Sequence, residues 1–555
     1  MVLSTFAEML SIGAVMPFLS VLTNPQYLFE VEFFKPMLLI LDLSDPTQLL
    51  VPITIAFCIA ALLAGIMRLL LLWVSTRLSF STGADLSLDM YKRTLYQPYR
   101  IHCKRSSSEV IDGISIKANG VIYNTIMPVL MLISSIILLI SILAFLLILE
   151  PAIAIKVFCG LGLIYMLIVK ITRKHILSNS NLIACSTTKV IKSLQEGLGG
   201  IRDILIDNSQ SVYCKIYRDA DTSLRHAQAS SLFIALSPRY GIEALGIVLI
   251  AGLAFSIAQK DGGISAAVPI LGALALGGQR LLPVIQQAYG SWVQINSGRT
   301  SLKDALDLLD QPLPFANNLP SEPIPFSKSI ALRKVSFFYE KGPYILKDIN
   351  LIIEKGSRVG FIGATGSGKS TLLDIILGLL QPTTGALEID DQPITLENHR
   401  SWQAHIAHVP QAIFLADSSI KENIAFGVPQ NQIDFARVKW AARQAQILES
   451  IESWPNQYNT FVGERGIRLS GGQRQRIGIA RALYKQANVI IFDEATSSLD
   501  NQTEQSVMEA ISGLSKELTL LIVAHRLTTL KGCNQIVELH NGEIRRIGSY
   551  AEIVN

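Results

Sequence analysis

At 555 residues the chain is too long for one compact core, so several domains are expected. Half of its residues are hydrophobic and only 17% are charged, which excludes an ordinary soluble composition and predicts extensive contact with lipid. The net charge of +4 is small and dispersed, which gives no basis for a nucleic-acid partner and is better explained by membrane topology.

Six stretches in the first half are apolar enough to span or partly span a bilayer, which takes about 20 helical residues. The first covers roughly residues 2–22 and contains Glu8. It has no basic leader or convincing cleavage site, so a removable signal peptide is not expected. The others cover roughly 49–73, 126–149, 152–169, 234–258 and 264–286, the last broken by glycine and carrying Arg280. Two long loops, 75–125 and 172–232, hold about 15 Lys and Arg, whereas the opposite connections hold essentially Lys35 and Lys260. That asymmetry places the long loops in the cytoplasm. Residues 193–229 keep an amphipathic helical period, so these loops are expected to carry the membrane helices on into water, with plain solvated connectors as the alternative. Cys58, Cys103, Cys159, Cys185, Cys214 and Cys533 lack metal or CxxC spacing, which argues against zinc and structural disulfides.

The proline-rich stretch 310–327 is expected to be an extended linker between a membrane domain, 1–309, and a soluble domain, 328–555. In the latter, Gly363, Ala364, Thr365, Gly366, Ser367, Gly368, Lys369, Ser370 and Thr371 follow an apolar strand at 358–362 and open a helix over 371–380. That is the context of a phosphate-binding P-loop: glycines let backbone amides wrap the phosphates, Lys369 reaches the β- and γ-phosphates, and Ser370 ligates magnesium. A second strand, 489–493, ends in Asp493 and Glu494. There Asp493 is expected to hold magnesium and Glu494 to polarise the water that attacks the γ-phosphate.

Leu469, Ser470, Gly471, Gly472 and Gln473 spell a signature with which the chain resembles the ATP-binding-cassette family. In that family the signature of one subunit closes on ATP held by the P-loop of the other. The resemblance therefore implies that Ser470 and Gly472 meet the γ-phosphate in trans, and that the working form is a dimer, expected here to be a homodimer. It also implies adenine stacking on Tyr339, a place for Gln411 beside magnesium, coupling of the two sites through Asp500, and a γ-phosphate contact from His525. ATP and Mg2+ are the cofactors implied. Residues 460–466 resemble a loop found before the signature in exporters, and six spans fused ahead of one cassette resemble an exporter half-transporter. The fold expected is thus multidomain: an all-α six-helix transmembrane bundle of exporter type, then an α/β P-loop nucleotide-binding domain. Short helices near 96–104 and 209–217 would dock on the cassettes.

Glu8 with Met16, Pro17 and Phe18, Pro238 and Arg239 with Glu243 and Gly246, and Arg280 with Pro283 together resemble bacterial flippases of lipid-linked oligosaccharides. Ionisable groups inside spans are functional candidates by default, so Arg239 and Arg280 are candidates for meeting the pyrophosphate of such a lipid. Structural roles compete: Arg239 can pair with Glu243 one turn along, and Arg280 can snorkel. A peptide or drug exporter would share the whole motor. A nontransport ATPase is the remaining class, and six spans argue against it. The expected location is the cell membrane, as in a bacterial inner membrane, with the N-terminus and ATPase domain cytoplasmic.

Overall fold

The computed structural model describes residues 1–15, 17–18, 21, 50–149, 151–258, 281–313, 324–340, 342–494, 501–513, 517–524 and 527–554. The chain divides into two compact units, one of Met1–Gln97 and Lys104–Pro314, the other of Pro98–Cys103 and Phe315–Asn555.

The described residues of the first unit form helices joined by short turns, with no strand among them. Helices Leu50–Leu95, Pro151–Gly199 and Gln210–Ala258 run without interruption from apolar sequence into the charged loops, as the amphipathic period predicts. Among the described residues, Leu50–Leu95 and Ser107–Ala144 are long and apolar enough to cross a membrane. The expected span at 2–22 is described except at residues 16, 19, 20 and 22 and includes a helix at Val2–Gly13, whereas the span at 264–286 is described only from residue 281, where residues 281–297 are helical.

The second short helix lies earlier than expected. It is Ile201–Ile206, while residues 210–217 already belong to the long helix that follows. Gly200 caps its N-terminus, and Asn208 takes a left-handed φ of 52° that breaks the helical path before Gln210. The first short helix, Tyr99–Lys104, falls within the predicted segment.

Where the long helices leave the apolar region, charges take over their packing. Lys117 sits between Asp304, at 2.6 Å, and the fully buried Asp112, at 3.4 Å. Thr188 donates to Asp112 at 2.6 Å, so three separate helices meet on one ion cluster. Two π-helical turns, Asp112–Lys117 and Ile122–Ile126, widen the helix there. At the exit of the unit Arg93 donates to Gln311 O and Gln97 to Pro312 O, each at 2.9 Å, which pins the start of the linker to helix Leu50–Leu95.

The second unit carries two sheets. Strands β1 (Ser329–Phe337), β2 (Leu346–Glu354), β4 (Thr384–Ile389) and β5 (Gln392–Pro393) form an antiparallel sheet in the order β2-β1-β4-β5. Strands β3 (Arg358–Ile362), β6 (Ile406–Val409), β7 (Val489–Asp493), β8 (Thr519–Val523), β9 (Gln535–His540) and β10 (Glu543–Gly548) form the other, in the order β10-β9-β3-β8-β7-β6. From β9 to β6 this sheet is parallel, and β10 closes its edge antiparallel. Strand β7 alternates between two cores: Ile490 and Phe492 enter one, Val489 and Ile491 the other. Strand β8 does the same with Leu520 and Ile522 against Leu521 and Val523. Burial on both faces is why these strands are continuous apolar runs.

The described end of the linker already belongs to this unit, for Ile324 and Phe326 are buried in its core. Asp390 fixes the entry, accepting from Ser327 N at 2.5 Å, Lys328 N at 2.7 Å and Ser329 N at 2.9 Å. Although partial burial opposes it, these donors hold the carboxyl down at about 2.

Candidate active site

Strand β3 delivers the chain into the loop 363–368, and helix Lys369–Ile376 leaves it. Gly363 has a φ of 148°, and a Cβ there would stand 2.4 Å from Leu539 O and 2.7 Å from Ser367 Oγ. Only glycine lets the loop pass so close. Gly368 forms the left-handed N-cap of the helix. Lys369 is buried and folds its ammonium back onto the loop, donating to Gly363 O at 2.8 Å and Ala364 O at 3.0 Å. Beside it, the buried Ser367 Oγ has no hydrogen-bond partner. Trp402 donates to Ile376 O at 2.7 Å and so satisfies the far end of the same helix. A cationic cradle with an orphaned hydroxyl at a helix N-terminus fits a polyphosphate.

At the end of β7, Asp493 and Glu494 place two carboxyls in succession. Burial raises Asp493, Glu494 raises it further, and Lys369 opposes both. Asp374, on the P-loop helix, is pushed up to about 6 by burial and by Asp493. Acidic groups that resist ionisation together suit a site that receives a divalent cation, and the exposed Ser370 hydroxyl adds an oxygen donor.

Glu494 has a left-handed φ of 51° while its amide donates to Val523 O at 3.0 Å. The tether to β8 holds the backbone in a conformation that an L side chain rarely adopts. Gln411 Nε2 donates to Glu494 Oε2 at 2.6 Å, so two residues 83 positions apart in sequence meet at this carboxylate.

Ser470 is the N-cap of helix Gly471–Tyr484. Its hydroxyl accepts from Gln473 N at 3.2 Å, and its amide donates to Gln473 Oε1 at 2.9 Å, a reciprocal capping box. Leu469 is buried beneath it, and Ser470 is exposed. The helix therefore presents a rigid N-terminus outward.

Tyr339 follows β1, with its ring edge-on to Phe337 at 4.9 Å. Asp500, His525 and Arg280 lie outside the described residues. Arg239 donates to Glu243 at 2.8 Å, the pairing its spacing allows. Glu8 is buried and pairs with Arg68 on helix Leu50–Leu95, while its other carboxylate oxygen has no hydrogen-bond partner. Arg68 was missed by the sequence reading, although a cation inside an apolar run is itself the signal.

Two family models match the chain, the ABC transporter transmembrane region over residues 3–259 and the ABC transporter over residues 346–497. The chain is 29% identical to an ATP-dependent lipid A-core flippase of Alkalilimnicola ehrlichii over 406 residues, 71% of this chain and 67% of that protein. It is 32% identical to a multidrug resistance ABC transporter ATP-binding and permease protein of Lactococcus lactis over 316 residues, 57% of this chain and 51% of that one. The chain thus spans about two thirds of the first relative and about half of the second. In fold it is similar to a bacterial Atm1-family ABC exporter solved with ATP bound, with a TM-score of 0.79 at 23% identity, covering 98% of this chain and 95% of that one.

Proposed function

Since the chain belongs to the ATP-binding-cassette transporters, with a membrane region and an ATPase fused in one polypeptide that couples ATP hydrolysis to transport, we propose that it flips a lipid-linked oligosaccharide or related anionic lipid. The observation that carries this is charge held within apolar helices: Glu8 with Arg68, and Arg239 with Glu243. An amphipathic cargo with a long tail and a diphosphate head needs a greasy path bearing a cation, whereas a neutral drug needs only the greasy path. Arg239 and Arg280 are the groups proposed to meet the diphosphate. The likeness to the Alkalilimnicola flippase supports a lipid cargo, and the likeness to the Lactococcus multidrug transporter is the ground for the rival reading.

In the motor, Gly363, Ala364, Thr365, Gly366, Ser367, Gly368 and Thr371 line the phosphates of ATP, and Tyr339 stacks on its base. Lys369 turns from its own carbonyls to the β- and γ-phosphates. Ser370, Asp493 and Gln411 would hold magnesium, which supplies charge neutralisation between the phosphates. Glu494 accepts the proton of the attacking water, His525 contacts the γ-phosphate, and Asp500 links the two sites. The signature, Leu469 to Gln473, with Ser470 exposed, closes in trans on the ATP of a second identical chain. In a bacterial inner membrane both chain ends and the cassette face the cytoplasm.

Substituting Arg239 and Arg280 singly by Ala and by Lys, and measuring translocation of a fluorescent lipid-linked oligosaccharide in proteoliposomes, tests the cargo. Loss in the Ala series is expected, and full retention in both series contradicts the assignment.

A further inference from the structure

The loop that carries Gln411 is built around one guanidinium from the helix that carries Ser470. Arg481 lies in the last turn of helix Gly471–Tyr484. Its Nη1 donates to Phe414 O at 2.9 Å, its Nε to Asn423 O at 2.9 Å, and its Nη2 to Asn423 Oδ1 at 3.3 Å. The same cation stands 4.5 Å over the ring of Phe426. Asn423 is fully buried and closes the segment in turn, donating to Ala416 O at 3.0 Å and Ser418 Oγ at 3.1 Å while accepting from Ala416 N at 3.0 Å. A reciprocal cap between Ser419 and Glu422 starts the helix on which Asn423 sits.

Two turns into the signature helix the Ile413 side chain packs against the helix backbone at Gly478. A Cβ at Gly478 would stand 2.3 Å from Ile413 Cδ1, so the helix lies directly on the residue two positions past Gln411.

We infer that Arg481 is a positioning residue that locks the Gln411 loop to the signature helix, so that the glutamine facing a cassette's own ATP and the serine facing the partner's ATP shift as one body. The inference rests on the roles proposed above for Gln411 and Ser470. A planar fork with fixed donor directions fits this task, because it grips two carbonyls and a side-chain oxygen at once, while a lysine reaches fewer of them and fixes none of the angles. Burial lowers the guanidinium to about 10, so it remains charged at neutral pH. When Gln411 is drawn toward ATP, the segment 414–426 cannot yield separately from the helix, and the signature follows. A core residue of the same size would fill the space without transmitting that movement.

The test uses the full-length protein in lipid nanodiscs, as wild type, R481K and R481A. Binding sites are counted with a fluorescent ATP analogue, and the ATPase rate is divided by that count, so only the folded population is read. A fall of about tenfold or more in kcat per site is expected in both variants, with KM for ATP within about threefold of wild type and cooperativity in ATP reduced. A purely structural role predicts fewer sites with kcat per site unchanged. Values within about twofold of wild type in both variants therefore overturn the inference. Q411A and S470A are measured in parallel: if these also keep kcat per site, the proposed site roles fail, an outcome separate from failure of the Arg481 lock.

Discussion

Glu494 combines an uncomfortable backbone with a directed side chain. Its left-handed φ is maintained by the bond to Val523 O, and its carboxylate is met by Gln411. Strain of this kind costs on the order of 1–3 kcal/mol and persists where function requires it. Glu494→Gln is expected to lower ATP turnover by at least about a hundredfold with little change in nucleotide affinity, as steady-state ATPase and fluorescent nucleotide titration will read. Glu494→Gly should likewise abolish turnover yet raise the thermal midpoint, because glycine takes the same φ freely; a lower midpoint would contradict the strain. The raised carboxyl of Asp374 gives a pH signature. Below its ordinary value of 3.8 the group is neutral both folded and unfolded, so it contributes nothing there. As pH climbs toward about 6 the folded chain resists ionisation, and the group becomes destabilising. Asp374→Asn, measured without nucleotide, should leave the midpoint unchanged at about pH 3, below the ordinary value, and raise it at pH 7.

At the scale of elements, the ion cluster of Asp112, Lys117 and Asp304 joins helices that the sequence does not mark as neighbours. Lys117→Met strands the buried Asp112 and is expected to cost about 3–5 kcal/mol, read as a drop in the thermal midpoint of the purified protein. Adding Asp112→Asn should restore part of the loss, and a double variant no better than the single would show that the pair is not coupled. Why the sequence misses this cluster is physical. Lys117 and Asp304 are 187 positions apart, and no local period announces their meeting. The same holds for Arg481 and Asn423, 58 positions apart. What is legible is local chemistry. The apolar runs of β3 and β7 mark strands buried on both faces, the glycines of 363–368 mark a loop too tight for side chains, and the proximity of Ser470 and Gln473 marks a helix start. The short helix expected at 209–217 was displaced to Ile201–Ile206 because amphipathic period continues across the break. Only the glycine at 200 and the left-handed Asn208 locate it.

At the scale of the whole molecule, the exposed Ser470 at the N-terminus of the signature helix and the exposed apolar tip of the second long loop, Leu205 and Ile206, both present surface for a partner. Cysteines placed at Leu205 and near Gln411 are expected to crosslink between chains in an ATP-sensitive manner, and the absence of any such crosslink would contradict the proposed docking. The central claim, that ATP hydrolysis drives a lipid-linked glycan across the bilayer, is tested most directly by ATP turnover in liposomes with and without a lipid-linked oligosaccharide, comparing wild type with Glu494→Gln. The account predicts turnover that the glycan-lipid stimulates and that the variant abolishes. Turnover that depends on Glu494 but ignores the glycan-lipid would contradict the proposed cargo while leaving the motor intact.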